Sequence, residues 1–134
     1  MGDDFVGIGE EAVKIHGEGF NCAQCVLRAC GKYTGLDERT ALAVAGGFGG
    51  GVRCGELCGA ISGAVMALGL AAPFADGDDR EAMARIGALT KQATGAFREK
   101  YGVVRCLELK RAGVPCDELI AFGAETVEKI LNEE

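Results

Sequence analysis

The sequence contains no tryptophan, only two prolines and one histidine, and few aromatic residues, which make up 6% of the chain. It is also short of basic residues, because 14 lysines and arginines stand against 20 aspartates and glutamates and leave a formal net charge of −6. Those basic residues are scattered and form no run. Nucleic acids and anionic membrane surfaces are bound through a basic face. We therefore expect neither of them to be the main partner of this protein.

The N-terminal residues, MGDDFVGIGEE, are acidic and lack the basic segment and the long apolar segment of a secretory signal. Val6 also stands where a myristoylation motif needs serine or threonine. We therefore expect a cytoplasmic protein. Cysteines in the cytoplasm are more often metal ligands or reactive thiols than structural disulfides. The odd number of 7 cysteines also fits poorly with a fully paired disulfide framework.

No segment alternates between apolar and polar residues for long enough to predict a strand, and apolar residues recur instead at helical spacing. We therefore expect an all-α bundle that forms a single domain over residues 1–134. Asn21 is expected to cap the second helix. The predicted helices run from Asp4 to about His16, from Cys22 to about Tyr33, from Asp37 through Val44, from Leu57 to Ala72, from the caps at Asp76–Asp79 to Gly102, from Val103 to Arg111, and from Pro115 onward.

The least polar part of the chain is Leu57–Ala72, which is almost free of charge and predicts a buried central helix. Its length approaches the ~20 apolar residues that a membrane span needs. Glycines dilute its hydrophobicity and no basic or aromatic girdle flanks it, so we expect no membrane span. Gly59, Gly63 and Ala67 lie four residues apart and form a smooth face for a closely packed helix. The sequence leaves open whether that helix belongs to the same chain or to a second copy in a homodimer.

A glycine-rich loop, residues 46–56, precedes the central helix. A dinucleotide-binding fingerprint that starts at Gly47 would need a glycine where Val52 stands, and no Gly-Lys-Ser/Thr follows to make a phosphate-binding P-loop. In the structural interpretation, glycines let the backbone turn tightly and pass close to other helices. In a second interpretation, bare amides bind an anion or a thiolate near Cys58. The candidate cofactor-binding residues are then Gly49, Gly50, Gly51 and Gly59.

Several cysteines are spaced as in known motifs. Cys22 and Cys25 form a CxxC pair at a predicted helix start, where free N–H groups and the helix dipole would stabilise a thiolate. A thioredoxin fold is not expected, because no strand precedes the pair. Together with Cys54 and Cys58 the pair would supply four sulfur ligands, but the spacings of zinc ribbons and ferredoxins are absent. Cys30 is more simply explained as a small buried hydrophobic residue.

Four cysteines lie at or near predicted helix N-termini, a position that favours the thiolate form. They are Cys22, Cys58, Cys106 and Cys116. One interpretation makes them the catalytic residues of a dithiol/disulfide redox protein, which would require a redox partner protein. In another they are metal ligands, and zinc, copper(I) or an iron–sulfur cluster suits soft thiolates. In a third they are buried residues of a structural interaction domain. The lone histidine, His16, is expected to be a solvated residue at a helix end.

These cysteines also carry a resemblance that covers nearly the whole chain. Its elements, in order, are Asn21-Cys22-Ala23-Gln24, the run Gly46-Gly47-Phe48-Gly49-Gly50-Gly51, Cys58-Gly59-Ala60-Ile61-Ser62-Gly63, Cys106 and Cys116. With these elements the sequence resembles the family that is named for its C–GCAxxG–C–C cysteine pattern and proposed to be redox-active. The pattern writes Gly-Cys-Ala where this chain has Cys-Gly-Ala, so the match is one of spacing. The resemblance implies a redox site at the four cysteines and leaves Cys25, Cys30 and Cys54 outside it.

Overall fold

The computed structural model describes residues 7–133. This part of the chain folds into eight α-helices and contains no β-pairing beyond one isolated bridge, which confirms the predicted all-α class. The predicted start of the first helix, Asp4, lies outside the described residues. In chain order the helices are α1 Ile8–His16, α2 Cys22–Ala29, α3 Gly31–Thr34, α4 Glu38–Ala45, α5 Gly59–Ala71, α6 Arg80–Tyr101, α7 Cys106–Arg111 and α8 Cys116–Asn132.

Several helix ends carry the signals expected from the sequence. The side chains of Asn21, Asp37 and Asp79 each accept a hydrogen bond from a backbone N–H in the first turn of α2, α4 and α6, respectively. Gly102 ends α6 in the left-handed conformation, with a φ of +82°. The predicted caps of these helices are therefore confirmed.

The single helix predicted from Cys22 to Tyr33 is wrong, because Cys30 divides it into α2 and α3. The N–H of Cys30 is shared between the carbonyls of Val26 and Leu27, which tightens the last turn of α2. The backbone then leaves the helical conformation at Cys30, with ψ at 14°. The break turns the chain at a fully buried residue.

Two other helices begin later than predicted. The central helix begins at Gly59 instead of Leu57, and the next short helix begins at Cys106 instead of Val103. In both cases the residues before the helix are extended, because Leu57 forms an antiparallel bridge with Arg105. The backbone groups of these residues are satisfied across the bridge and not within a helix.

α5 is the central helix, and it packs against α2, α6 and α8. Its buried residues are Gly59, Ala60, Ile61, Ser62, Gly63, Ala64, Ala67 and Leu68. In the first half of α5 they lie on all sides of the helix, as expected where protein surrounds it. The predicted burial does not extend to its last turn, where Leu70 is exposed. No helix within residues 7–133 combines the length and the apolar character that spanning a membrane takes.

Small residues let α5 approach its neighbours closely. A Cβ atom built on Gly63 would lie 2.7 Å from the carbonyl oxygen of Ala23 in α2. On another side, a Cβ on Gly123 of α8 would lie 3.0 Å from the carbonyl oxygen of Ala60. The helix that covers the smooth face of α5 is therefore α2 of the same chain. This contact places the start of α2 beside the start of α5.

Candidate thiol site

The N-terminal end of α2 is held by a reciprocal pair of hydrogen bonds. The Asn21 side chain accepts from the backbone N–H of Gln24 at 3.0 Å, and the Gln24 side chain accepts from the backbone N–H of Asn21 at 2.9 Å. Both side chains also donate to the end of α4, Asn21 to the Gly46 carbonyl at 3.0 Å and Gln24 to the Leu42 carbonyl at 2.9 Å. This capping box fixes Cys22, the first residue of α2, against the end of α4.

Cys58 and Cys106 are positioned by the antiparallel bridge between the segments that precede α5 and α7. The N–H of Cys58 donates to the carbonyl of Val104 at 2.9 Å, and the N–H of Cys106 donates to the carbonyl of Glu56 at 2.6 Å. An ion pair of 3.2 Å between the side chains of Arg105 and Glu56 reinforces the bridge. Two cysteines that are distant in sequence are thereby brought to the same end of α5.

Cys116 is the first residue of α8, and its thiol is a direct neighbour of the Cys22 thiol. Burial raises the pKa of Cys22 well above its ordinary value, and the thiols of Cys116 and Cys58 raise it further. Cys116 acts on this pKa both through its charge and through a hydrogen bond. The starts of α2 and α8 therefore present their cysteines to each other.

The pKa of Cys58 is also raised, chiefly by burial, and the thiols of Cys106 and Cys116 contribute in the same direction. These neighbours join Cys22, Cys58, Cys106 and Cys116 into one group, which we call the thiol cluster. All four are free thiols. The structure thus brings the four predicted site cysteines together at the N-terminal end of α5, while their catalytic role stays a prediction.

The predicted thiolate stabilisation is wrong for Cys22 and Cys58. The backbone N–H groups of Ala60 and Ile61 do lower the pKa of Cys58, as expected at a helix start. However, Cys58 is only 2% exposed, and the loss of hydration outweighs their effect. Both thiols are therefore held in the protonated form at neutral pH.

The glycine loop passes directly over the thiol cluster. Gly51 has a φ of +65°, and a Cβ there would lie 2.8 Å from the Cβ of Cys106. A Cβ on Gly49 would lie 2.5 Å from the side chain of Asn21. The absence of a side chain at these two positions lets the loop contact both the cap of α2 and the start of α7.

The other two candidate cofactor-binding glycines differ from each other. A Cβ on Gly59 would lie 3.2 Å from the Cβ of Cys22, so this glycine also serves the packing around a cysteine. Gly50 faces open space, and its φ of +65° favours glycine. Binding of an anion or a cofactor by Gly49, Gly50, Gly51 and Gly59 stays a prediction.

The left-handed backbone continues beyond the glycines. Val52 has a φ of +57° and Arg53 a φ of +62°. For residues other than glycine this conformation costs about 1–2 kcal/mol each. Only tertiary contacts on both sides of the loop can hold such a segment, and no sequence signal predicts it.

A cleft of about 440 Å³ opens on the outer side of the loop. It is lined by Gly50, Arg53, Cys54, Gly55, Cys106, Leu107 and Lys110. Cys54 is exposed, and its thiol donates to the carbonyl of Gly51 at 3.5 Å. Because Cys106 lines the cleft as well, one member of the thiol cluster is reachable from this side.

Cys25 and Cys30 belong to the hydrophobic core. Both are fully buried, and burial raises the pKa of each to about 12. The Cys25 thiol lies 3.6 Å from the carbonyl of Phe20, to which it donates. The interpretation of Cys30 as a small buried residue is confirmed. The two cysteines of the CxxC pair lie in different environments, because Cys25 is in the hydrophobic core and Cys22 is in the thiol cluster.

Tyr101 is a residue of the site region that the sequence did not identify. Its hydroxyl is buried and makes no hydrogen bond within the described part of the chain. Burial raises the pKa of this hydroxyl, and the side chains of Glu118 and Cys58 raise it further. Tyr101 therefore lies between the thiol cluster and the first turn of α8. In the sequence it is one more apolar residue on the buried face of α6.

His16 lies beside the cluster and is not simply solvated. Its Nδ1 atom is 2.6 Å from a carboxylate oxygen of Asp117, the residue after Cys116. The contact ties the end of α1 to the first turn of α8. The predicted place of His16 at a helix end is confirmed, and the sequence did not predict its contact with Asp117.

The arrangement of ligand-type side chains bears on the metal interpretation. Within residues 7–133, no group of three or more histidine, cysteine, aspartate or glutamate side chains is arranged to hold a metal ion. The four thiols are neighbours but do not surround a common point in this arrangement. Zinc or an iron–sulfur cluster at Cys22, Cys58, Cys106 and Cys116 stays a prediction from the sequence.

No curated protein and no solved structure shows a significant match to the chain. A family model does match, over residues 20–130, and its description reads "Putative redox-active protein (C_GCAxxG_C_C)". The match spans the four cysteines of the thiol cluster, the glycine loop and the start of α5. It confirms the family expected from the order of these elements. The chain therefore belongs to the C_GCAxxG_C_C family.

Proposed function

We propose that this protein is a cytoplasmic thiol–disulfide redox protein and that Cys22 and Cys116 are its exchanging pair. The observation that carries the proposal is the proximity of these two cysteines, which are the first residues of α2 and α8 and of which Cys116 raises the pKa of Cys22. Neither thiol has another covalent partner, and both belong to the cysteine pattern of a family described as redox-active. A disulfide between them would join two helices that are already in place.

The reaction removes one proton from each thiol and two electrons from the pair, and forms one sulfur–sulfur bond. The electrons reduce a disulfide of a redox partner protein, whose two sulfurs become thiols. Cys58 neighbours Cys116 and Cys106, so it supplies a further thiol that can attack the Cys22–Cys116 bond. The thiol cluster would then hold the disulfide in more than one pairing.

Burial makes thiol–disulfide exchange at this site slow at neutral pH. Because the pKa values of Cys22 and Cys58 are raised, few thiolates are present at neutral pH, and the thiolate is the nucleophile in disulfide exchange. The thiol cluster should therefore react slowly with oxidants at neutral pH, and its thiol–disulfide exchange should become faster as the pH rises. A partner that shifts α2 or the glycine loop would expose the thiols.

The test is the oxidation of the purified protein by diamide, a small neutral reagent that converts two thiols to a disulfide. With one equivalent of diamide per chain, we expect the count of free thiols to fall by two, and peptide mapping to recover a Cys22–Cys116 linked pair. Cys116→Ala should abolish this pair. Cys30→Ala, which removes a buried cysteine outside the cluster, should leave it unchanged.

Two results would contradict the proposal. One is a folded protein whose thiol count stays constant under diamide. The other is a protein that carries one metal ion per chain after anaerobic purification and loses it in Cys22→Ala and Cys116→Ala alike. The second result would assign the same four cysteines to metal binding.

A further inference from the structure

The exposed cysteine Cys54 shares the cleft beside the glycine loop with a member of the thiol cluster. Gly51 lies against both residues. Its carbonyl accepts a hydrogen bond from the Cys54 thiol at 3.5 Å, and a Cβ atom built on Gly51 would lie 2.8 Å from the Cβ atom of Cys106. Both cysteines line the same cleft. An exposed thiol and a cluster thiol therefore flank one glycine and face one volume of about 440 Å³.

The cleft is also lined by two cationic side chains. Arg53 and Lys110 line it, and neither forms an ion pair with a carboxylate of the described residues. The neighbouring carboxylates of Glu56 and Glu108 lie 3.2 and 4.0 Å from Arg105, whose charge offsets one of the two. The positive charge of the cleft therefore exceeds the negative charge beside it by one, which favours an anion locally in a protein of net charge −6.

The cysteines of the thiol cluster are less accessible than Cys54, because Cys22, Cys106 and Cys116 are half-buried and Cys58 is buried. Cys58 is 2% exposed, and thiol–disulfide exchange requires that the attacking sulfur can reach the sulfur it attacks. A disulfide from solution therefore cannot reach Cys58 without prior exchange at a more accessible thiol. Cys54 is the only exposed cysteine of the seven, all of which lie in the described part of the chain.

We propose that this cleft binds a small anionic disulfide, with Cys54 as the attacking thiol and Cys106 as the resolving thiol. The Cys54 thiolate attacks one sulfur of the bound disulfide, forms a mixed disulfide and releases the first anionic thiolate. The Cys106 thiolate then attacks the Cys54 sulfur, forms a Cys54–Cys106 disulfide and releases the second. Each released thiolate takes up one of the two protons lost by the cysteines, and two electrons pass from the protein to the substrate.

The Cys54–Cys106 disulfide would pass to the thiol cluster by exchange with Cys58, and this transfer alone rests on the proposed function. Cys106 is close enough to Cys58 to raise its pKa, and the antiparallel bridge between the segments before α5 and α7 holds these two cysteines near each other. Arg53 and Lys110 select the charge of the substrate. Electrons then leave the thiol cluster through a surface thiol at which the substrate binds.

The test measures exchange by the reduced protein with three small disulfides: 5,5′-dithiobis(2-nitrobenzoate), which is dianionic, bis(2-hydroxyethyl) disulfide, which is neutral, and cystamine, which is dicationic. We expect a fast phase with the dianionic reagent that releases two thiolates per chain. Cys54→Ala should remove this phase. Cys106→Ala should release one thiolate in it and leave a mixed disulfide on Cys54, visible by mass spectrometry.

The charge requirement has its own matched pair of variants. Arg53→Gln combined with Lys110→Gln should slow the dianionic reagent by roughly tenfold at low salt, the lower end of electrostatic rate enhancement in a charged cleft, and leave the neutral reagent unchanged. Lys91→Gln combined with Lys129→Gln changes the net charge equally in a different cleft, between α6 and α8, and should leave all three rates unchanged.

The proposal is overturned if Cys54→Ala keeps the fast phase, or if the Arg53/Lys110 variant slows all three reagents equally. These failures are separate from a failure of the proposed function. If diamide forms the Cys22–Cys116 disulfide but Cys54→Ala exchanges normally, only the cleft is wrong. If the fast phase depends on Cys54 but no cluster disulfide ever forms, the cleft is right and the exchanging pair is wrong.

Discussion

Replacing Gly63 by alanine would insert a methyl group into the contact between α5 and α2. The new Cβ would lie 2.7 Å from the carbonyl oxygen of Ala23, 3.2 Å from the Cα of Ala23 and 3.0 Å from the Cβ of Val26. Two of these are backbone atoms, so α2 itself must move to relieve the contact. Such overpacking costs about 1–3 kcal/mol. Alanine gains about 1 kcal/mol over glycine in a helix interior, so we expect a net loss of up to about 2 kcal/mol.

Gly69→Ala is the matched control, because Gly69 lies in the same helix and a Cβ there meets nothing within 4 Å. Here the gain in helix propensity should stand alone and raise the free energy of unfolding by about 0.5–1 kcal/mol. The assay is urea unfolding in the presence of reductant, followed by helical circular dichroism. The slope with denaturant should be the same for both variants, and only the midpoint should move.

The two variants together isolate the steric cost of the α2–α5 contact. If Gly63→Ala were as stable as Gly69→Ala, the close approach would not constrain the fold, and our explanation of the small-residue face would be refuted. We also expect Gly63→Ala to lower the yield of the Cys22–Cys116 disulfide, because α2 carries Cys22. Gly69→Ala should leave that yield unchanged.

Three further changes test other parts of the argument. Val52→Gly should raise the free energy of unfolding by about 0.5–1 kcal/mol, because it relieves a left-handed valine that is 48% exposed and so loses little burial; a loss of stability would show that the strain is absent. Asn21→Ala should lower it by about 1–2 kcal/mol through loss of the cap, and Asn21→Asp, which keeps the accepting oxygen but loses the donor to the Gly46 carbonyl, should recover only part of that loss. The pKa of Cys30 is raised by burial from 9.0 to about 12, so the folded state keeps a proton that the unfolded state loses above pH 9. Stability under reducing conditions should therefore be fully present below pH 9 and fall as the pH rises toward 12, with a shallower fall in Cys30→Ala; equal slopes would contradict the assigned burial effect.

Much of the helical framework could be predicted because its signals are local. Asn21, Asp37 and Asp79 act as caps within three residues of their own position, and Gly102 stops α6 through its own φ. The smooth face around Gly63 was visible as a four-residue spacing. Cap chemistry and helical periodicity depend on neighbours in sequence, so one sequence contains them.

The geometry of the thiol site depends on contacts that no local pattern encodes. The bridge that aligns Cys58 with Cys106 involves too few residues to show a two-residue alternation. The buried hydroxyl of Tyr101 faces α8 only because α6 crosses it there. The thiolate prediction failed for the same reason: a helix start favours a thiolate when it is solvated, and the sequence does not say which starts are buried.

The different exposure of Cys54 and of the thiol cluster separates two properties that a surface CxxC site combines. In such a site the same thiol is both the accessible nucleophile and one half of the redox couple. Here Cys58 is buried and Cys22 half-buried, and the pKa values of both are raised, while Cys54 is exposed on a loop next to Cys106. A disulfide would thus be favoured or disfavoured by the packing of α2, α5 and α8, whereas its rate of exchange would be set at the cleft. The two can be tuned independently, because a charge change at Arg53 leaves the packing of the cluster untouched.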